Sequence, residues 1–390
     1  MKKKIIAVLL FVTIITIGCT PYGENAIQSD KCNYKDEIPS TYQIYTDDDN
    51  NDTYDGDYSA DVSDCSLTFT TNRVFDVVPG DYGYLAVAFI EHMQDYLPYR
   101  LPFSDRELEA ALWIVDALLD MGFEESQIEI QTFRYDTKTS SWWGDPHYRI
   151  ETYTEAGYYN NLERIDYSQN IILTIPGHSD KTIIIGAHYD GVGNPGISDN
   201  AASVALLLEN AYRMKSQDHY HTLQYVFFGA EEVGLIGAFY FVDNLYYEDV
   251  ENIVLVINAD VIVEGPNFKY AVGYIEDGML FTYEGPTISQ NQLTLKIDAL
   301  ATELAYEGIT LTAEPQAVIF PTDHLAFLEF GVPILYFYGT YPPVYPELLY
   351  RNVLHTPNDC LDFFFEHFPG RIEDAMNTFG RFLEFVLLNI

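Results

Sequence analysis

The run Thr182-Ile183-Ile184-Ile185-Gly186-Ala187-His188-Tyr189-Asp190 ends an apolar strand in an imidazole and a carboxylate, and Ser198-Asp199-Asn200 follows eleven residues past the histidine. Three later runs end in the same way. Phe227-Phe228-Gly229-Ala230 is followed by Glu231-Glu232, Val254-Leu255-Val256-Ile257-Asn258-Ala259 by Asp260, and Val353-Leu354 by His355. Two imidazoles with several carboxylates is a donor set suited to zinc.

Working outward, the spacing predicts strands at 170–175, 181–187, 222–229, 252–259 and 332–338. Between and after them it predicts helices at 200–215, 233–244, 291–307 and 370–388. Short β-rich apolar runs interleaved with helices define an α/β fold: a mixed, mostly parallel central sheet sandwiched by helices. Ligands of such sheets sit at the carboxyl ends of the strands, where His188, Glu231-Glu232 and Asp260 all fall. Upstream, Ser104-Asp105-Arg106-Glu107 reads as a capping box opening a helix to Gly122, and Ile128 to Tyr135 alternates like a strand. The irregular stretch 136–167 carries Trp142-Trp143, read as packing beneath a long loop. No internal repeat or second domain boundary interrupts the alternating region.

The chain has 390 residues with 59 acidic against 20 basic side chains, a net charge of −39. Such a surface repels nucleic acid and anionic lipid, so neither is an expected partner. Residues 1–18 read as a lipoprotein-type signal peptide: Lys2-Lys3-Lys4 precedes an apolar stretch from Ile5 to Ile17, shorter than the roughly 20 residues that span a bilayer. Gly18-Cys19 resembles a lipobox, with Thr16 in place of the usual leucine, and makes Cys19 the expected lipid anchor in a bacterial cell envelope. Residues 19–73 read as an acidic flexible tether. Its Asp47-Asp48-Asp49-Asn50-Asn51-Asp52 lacks the glycine and glutamate of a calcium loop. Cys32 to Cys65 is the preferred disulfide, leaving Cys360 free.

Taken singly, each site residue has an ordinary reading: a hydrogen-bonded histidine, two glutamates complementing a helix dipole, Asp199-Asn200 as an N-cap, Asp260 as a loop acid. Five metal-competent residues at strand and helix ends make that coincidence hard to sustain.

Ala187-His188-Tyr189-Asp190, Ser198-Asp199-Asn200-Ala201-Ala202-Ser203, Gly229-Ala230-Glu231-Glu232-Val233-Gly234, Asn258-Ala259-Asp260 and His355-Thr356-Pro357-Asn358-Asp359 resemble the signature blocks of the co-catalytic di-zinc exopeptidases. That family includes aminopeptidase Y and the secreted bacterial leucyl aminopeptidases. Pro321-Thr322-Asp323-His324 is similar to a sixth block. The resemblance spans roughly residues 75–390, makes 74–390 the expected di-zinc peptidase domain, and implies a zinc-exopeptidase fold of the phosphorylase/hydrolase type. It further implies two Zn2+, one held by His188 and Asp260, the other by Glu232 and His355, with Asp199 bridging. Asp190 would orient His188, and Glu231 would be the general base toward a water between the zincs. Relatives with a tyrosine just before the last histidine use it for the oxyanion. Here that position is Leu354, which leaves Tyr338, Tyr341 or Tyr345 for the task. The implied substrates are peptides; the scarcity of basic side chains, Arg351 being the nearest in sequence to a ligand, favours reading them from the amino terminus, with carboxypeptidase and dipeptidase action left open. Two other readings stay open on the same fold: a single-zinc glutaminyl cyclase and a non-catalytic binding ectodomain.

Overall fold

The computed structural model describes residues 73–78, 80–134, 146–275, 287–341 and 353–390, with side chains from 149 in the second of the longer segments; all of them belong to one compact unit, Thr41–Ile390. The leader, Cys19, the tether, Cys32, Cys65, Trp142-Trp143, Tyr345 and Arg351 lie outside the described residues. Among the described residues no helix is long and apolar enough to cross a membrane.

The strands are β1 (Ile128–Arg134), β2 (Tyr167–Ile175), β3 (Ser179–His188), β4 (His221–Phe228), β5 (Ile253–Ala259), β6 (Asn267–Ile275), the two-residue β7 (Ile288–Ser289) and β8 (Thr312–Ala313), and β9 (Ile334–Thr340). The helices are α1 (Ala86–Tyr96), α2 (Asp105–Asp120), α3 (Pro146–Glu155), α4 (Ala202–Met214), α5 (Ile236–Asp243), α6 (Tyr247–Asn252), α7 (Gln292–Tyr306), α8 (Leu325–Leu328), α9 (Leu361–His367) and α10 (Arg371–Asn389).

They form one sheet in the order β1-β2-β4-β3-β5-β9-β6-β7, with β8 beside β6. The four central strands β4, β3, β5 and β9 are parallel, and β2 and β6 flank them antiparallel. This is the mixed, helix-covered sheet expected from the sequence. Residues of β3 show why: Ile183 and Ile185 face the cluster under α1, α2, α4, α7 and α10, while Ile184 faces α5 and α8. A strand buried on both faces needs an apolar run rather than an alternation.

Chain direction opens the crevice. From β3 the chain crosses through α4 to β4 on one side, then through α5 and α6 to β5 on the other, so the carboxyl end of β3 is the point where connections diverge.

Three local details differ from expectation. The capping box is half closed: Ser104 Oγ accepts the Glu107 N–H at 3.2 Å, but the Glu107 carboxylate turns to the Phe103 N–H instead of that of Ser104. Helix α5 begins at Ile236 rather than 233, because Ala230 (φ 54°) and Leu235 (φ 59°) are left-handed and bend Glu231–Gly234 into a turn. The antiparallel β6, the amphipathic α1 and the short α9 had no sequence counterpart.

Candidate metal centre

Each site residue arrives on a different element. His188 is the last residue of β3, Glu231 and Glu232 follow β4, and Asp260 follows β5. Asp199 ends the loop before α4, in a cis peptide bond to Asn200, and His355 sits in a turn before α9. Neither Asp199 nor the glutamate pair has the ordinary role weighed for it. The N-cap of α4 is Ala201, with no side-chain cap, and the glutamates precede the first turn of α5 by several residues.

All six converge. His188 Nε2 lies 3.2 Å from Asp199 Oδ1 and 3.3 Å from Asp260 Oδ1. His355 Nε2 lies 2.8 Å from Asp199 Oδ2 and 3.5 Å from Glu232 Oε2. The two oxygens of Asp199 thus face two separate donor sets, and a third grouping joins His188 to Glu231 and Glu232. The side chains are buried except that of His355, which is 47% exposed and opens the site to solvent.

Hydrogen bonding orients the set. His188 Nδ1 donates to the main-chain carbonyl of Asp190 at 3.2 Å, which turns Nε2 toward the carboxylates. The Asp190 carboxylate stands 3.6 Å from the ring and instead accepts the N–H groups of Glu231 and Glu232 at 3.0 and 3.1 Å. Its support of His188 therefore runs mainly through the backbone. Asp359 does a similar service at the loop, accepting the N–H groups of Ser198 and Asp199.

A metal fits this arrangement on chemical grounds. With Nδ1–H donated elsewhere, Nε2 of His188 meets the carboxylates of Asp199 and Asp260 either as an N–H donor or, when neutral, through a cation held between them. Two donors each about 2.0–2.1 Å from one tetrahedral zinc stand roughly 3.3 Å apart, close to the spacings found here. Electrostatics agree. Burial raises the carboxyls of Glu231 and Glu232 well above their ordinary range, with the carboxylates around them adding to the shift. Burial opposes ionisation of Asp199 too, yet hydrogen bonds to His188 and His355 pull it well below. Burial also resists protonation of His188, and the charges of Glu231 and Asp260 overcome it, so that its pKa is raised. Glu232 Oε1 and both oxygens of Asp323 are buried with no hydrogen-bond partner. The cluster is short of positive charge.

Several contributors were not legible beforehand. Arg100, wholly buried, donates to the carbonyls of Tyr189, Leu97, Pro195 and Gly196 and so braces the loop between His188 and Asp199. Tyr338 is tied to Glu314 at 2.7 Å, whereas burial and the charge of Asp260, with that of Asp199 and Glu231 behind it, raise the hydroxyl pKa of Tyr336. Tyr336, on β9, thus lies in the field of the site. Its neighbour in register is Asn258, next but one before Asp260, a proximity that only strand pairing reveals.

A parallel-centred α/β sheet with histidines and carboxylates converging at the carboxyl ends of its strands defines a metallohydrolase-type centre. Residues 170–379, more than half of the chain, match the model of peptidase family M28, and the chain belongs to that family. A curated relative is the probable lipoprotein aminopeptidase LpqL of Mycobacterium tuberculosis, 33% identical over 144 residues that make up 36% of this chain and 25% of that protein. The match thus spans about a quarter of that relative's length. Among solved structures, a zinc aminopeptidase from Bacillus subtilis superposes with a TM-score of 0.54 at 16% identity, covering 77% of this chain and 93% of the other. A glutaminyl cyclase from an Acidobacteriales bacterium superposes equally well, with a TM-score of 0.53 at 18% identity over 81% and 98% of the two chains. At these identities the superpositions show a shared fold.

Proposed function

We propose that the protein is a zinc-dependent aminopeptidase that removes residues from the amino terminus of peptides, with Glu231 as general base. The observation that carries this reading is the carboxylate of Asp199, whose two oxygens face two donor sets at once. His188 and Asp260 with Asp199 Oδ1 would hold one zinc, and Glu232 and His355 with Asp199 Oδ2 the other. Two zincs, when bound, polarise the substrate carbonyl and acidify the attacking water. Glu231 takes the proton of that water on its carboxylate and returns it to the departing amine. With Glu232 committed to metal and the Glu231 and Glu232 N–H groups both fixed by Asp190, the base is held beside the ligands.

The direction of attack follows from charge. Arg100, whose charge reaches Asp199 and Glu232, is wholly buried and spends four of its five N–H groups on main-chain carbonyls, which leaves it poorly placed for a substrate carboxylate. A protonated amino terminus suits the acidic surroundings. The leader and Cys19, together with the lipoprotein character in the name of the mycobacterial relative, support export and lipid anchoring; a fatty-acid label absent from the wild type but expected on Cys19 would remove the anchor.

The test is metal content and substrate direction together. After zinc loading and dialysis, mass spectrometry is expected to find near two zincs per chain, and aminoacyl chromogenic substrates to be cleaved while N-blocked peptides are spared. One zinc per chain with cyclisation of glutaminyl peptides, or cleavage of blocked peptides, overturns the proposal.

A further inference from the structure

Glu107 is wholly buried on α2, near the site yet outside its metal-donor groupings. Its Oε1 accepts the Ala230 N–H at 2.9 Å and the Ser168 hydroxyl at 2.7 Å, and its Oε2 accepts the Phe103 N–H. These donors are neutral, so the carboxylate is kept out of water without an opposite charge on it, an arrangement costlier than an apolar side chain in the same place.

What the carboxylate holds explains its presence. Ala230 is left-handed, a conformation an alanine leaves readily for the right-handed or extended regions unless its peptide groups are fixed. Its N–H goes to Glu107, and the next two, of Glu231 and Glu232, go to Asp190. Three consecutive N–H groups are thereby anchored on two buried carboxylates. Gly229 tightens the same turn: a methyl there would stand 2.6 Å from the Gln169 carbonyl oxygen. Without the Glu107 acceptor the Ala230 N–H would be a buried orphan, and relaxing the turn to satisfy it would swing Glu231 away from its place.

We propose that Glu107 is a positioning residue for Glu231, supplied by the segment ahead of the stretch 170–379 that matches the family. The proposal rests on Glu231 being the general base.

The experiment is a double-mutant cycle on the zinc-loaded full chain, combining Glu107→Gln with Glu231→Gln and adding Glu107→Ala and the exposed α2 control Glu109→Gln. Glu107→Ala is expected to lower kcat about 10–100-fold, with KM within about threefold and zinc per chain unchanged. Glu107→Gln keeps one acceptor oxygen but sets an NH2 group against a donor, so an intermediate rate is expected. Glu109→Gln should match the wild type. In the cycle, Glu107→Gln should cost nothing further once Glu231→Gln has removed the base. Wild-type kcat in a folded Glu107→Ala, loss of zinc in proportion to activity, or additive losses in the cycle would each overturn the proposal. Should Glu107→Ala fail to fold, Glu107→Gln decides by the same criteria. Failure of the base assignment shows separately, as near-normal turnover in Glu231→Gln alone.

Discussion

Helix α4 and the loop that feeds it are adjacent in sequence and opposite in construction. From Ala202 to Met214 the helix is buried along nearly its whole length, with Val204, Leu206, Leu207 and Leu208 in the core, and its buried Glu209 is satisfied by the Gly83 and Ala86 N–H groups and by Arg213. Just before it, Asp199 faces two histidines and Asn200 leaves a side-chain oxygen unpartnered. Across the whole rim, Ala230, Leu235, Val261 and His355 hold positive φ, and Tyr99 and Phe103 do so beside Arg100; Asn161 is the other non-glycine residue of that kind among the described residues. Left-handed residues and several unmet polar groups, those of Asn200, Glu232 and Asp323 among them, thus lie where chemistry is expected, and the helices supply the stability that sustains them. Substitutions in the two regions should consequently separate activity from stability.

The largest separation is expected at Glu231. Glu231→Gln should lower kcat by about 10²–10⁴-fold, the usual worth of a positioned general base, with zinc content and melting temperature close to wild type. Steady-state kinetics beside metal analysis checks it, and near-normal turnover would remove the base.

The converse belongs to the helix layer. Phe379 on α10 is fully buried against Phe268 and Phe337, each with ring centroids 5.4 Å away. Phe379→Ala should lower the unfolding free energy by about 3–5 kcal/mol through lost burial and the cavity left behind. Urea titration measures that, and kcat per folded, zinc-loaded molecule should stay within twofold. A large loss of kcat would mean that the layer and the rim are not separable.

His324 tests the rim by pH. Burial lowers its pKa to about 4 from an ordinary 6.5, although the hydrogen bond from Nε2 to the Val318 carbonyl at 2.9 Å works the other way. Between those values the unfolded chain takes up a proton that the folded chain refuses. The contribution is therefore intact above 6.5 and lost as pH falls toward 4, about 3 kcal/mol in all. With a chelator present to remove zinc release from the measurement, His324→Gln should show a flatter fall in urea midpoint between pH 6.5 and 4 than the wild type. Equal slopes would mean that His324 is not held neutral.

The same contrast explains what the sequence could disclose. Helix α4, the central strands and His188, Glu231, Glu232 and Asp260 were legible because a buried parallel strand is an apolar run and its donors stand at the end of it. The roles of Glu107 and Arg100 were not, because the partners that tie them to the site are main-chain groups far along the chain: the Ala230 N–H that Glu107 accepts is 123 residues away, the Tyr189 carbonyl that Arg100 reaches is 89 away, and main-chain groups leave no residue-type signal. Strand β6 escaped for a related reason. It enters antiparallel after β5 and pairs with β9, which follows it by some sixty residues, so its neighbour is set by topology and not by local pattern.

The smallest effect concerns the strain itself. Ala230→Gly would relieve a left-handed alanine, worth about 1–2 kcal/mol, but would add roughly 0.5–1 kcal/mol of chain entropy to the unfolded state and remove one buried methyl worth about 0.8 kcal/mol. These terms nearly cancel, so the urea midpoint should shift by less than about 1 kcal/mol in either direction. Turnover should nonetheless fall, because glycine leaves the turn ahead of Glu231 free to adopt conformations that alanine, pinned by Glu107, does not. A loss of stability above about 2 kcal/mol would show that Ala230 packs as the helix layer does; unchanged kcat would show that the turn is held by Asp190 alone. Either result would erase the line between the two regions at the residue where they meet, since Ala230 packs in the small cluster with Phe103 and Ile236 while its N–H serves the site.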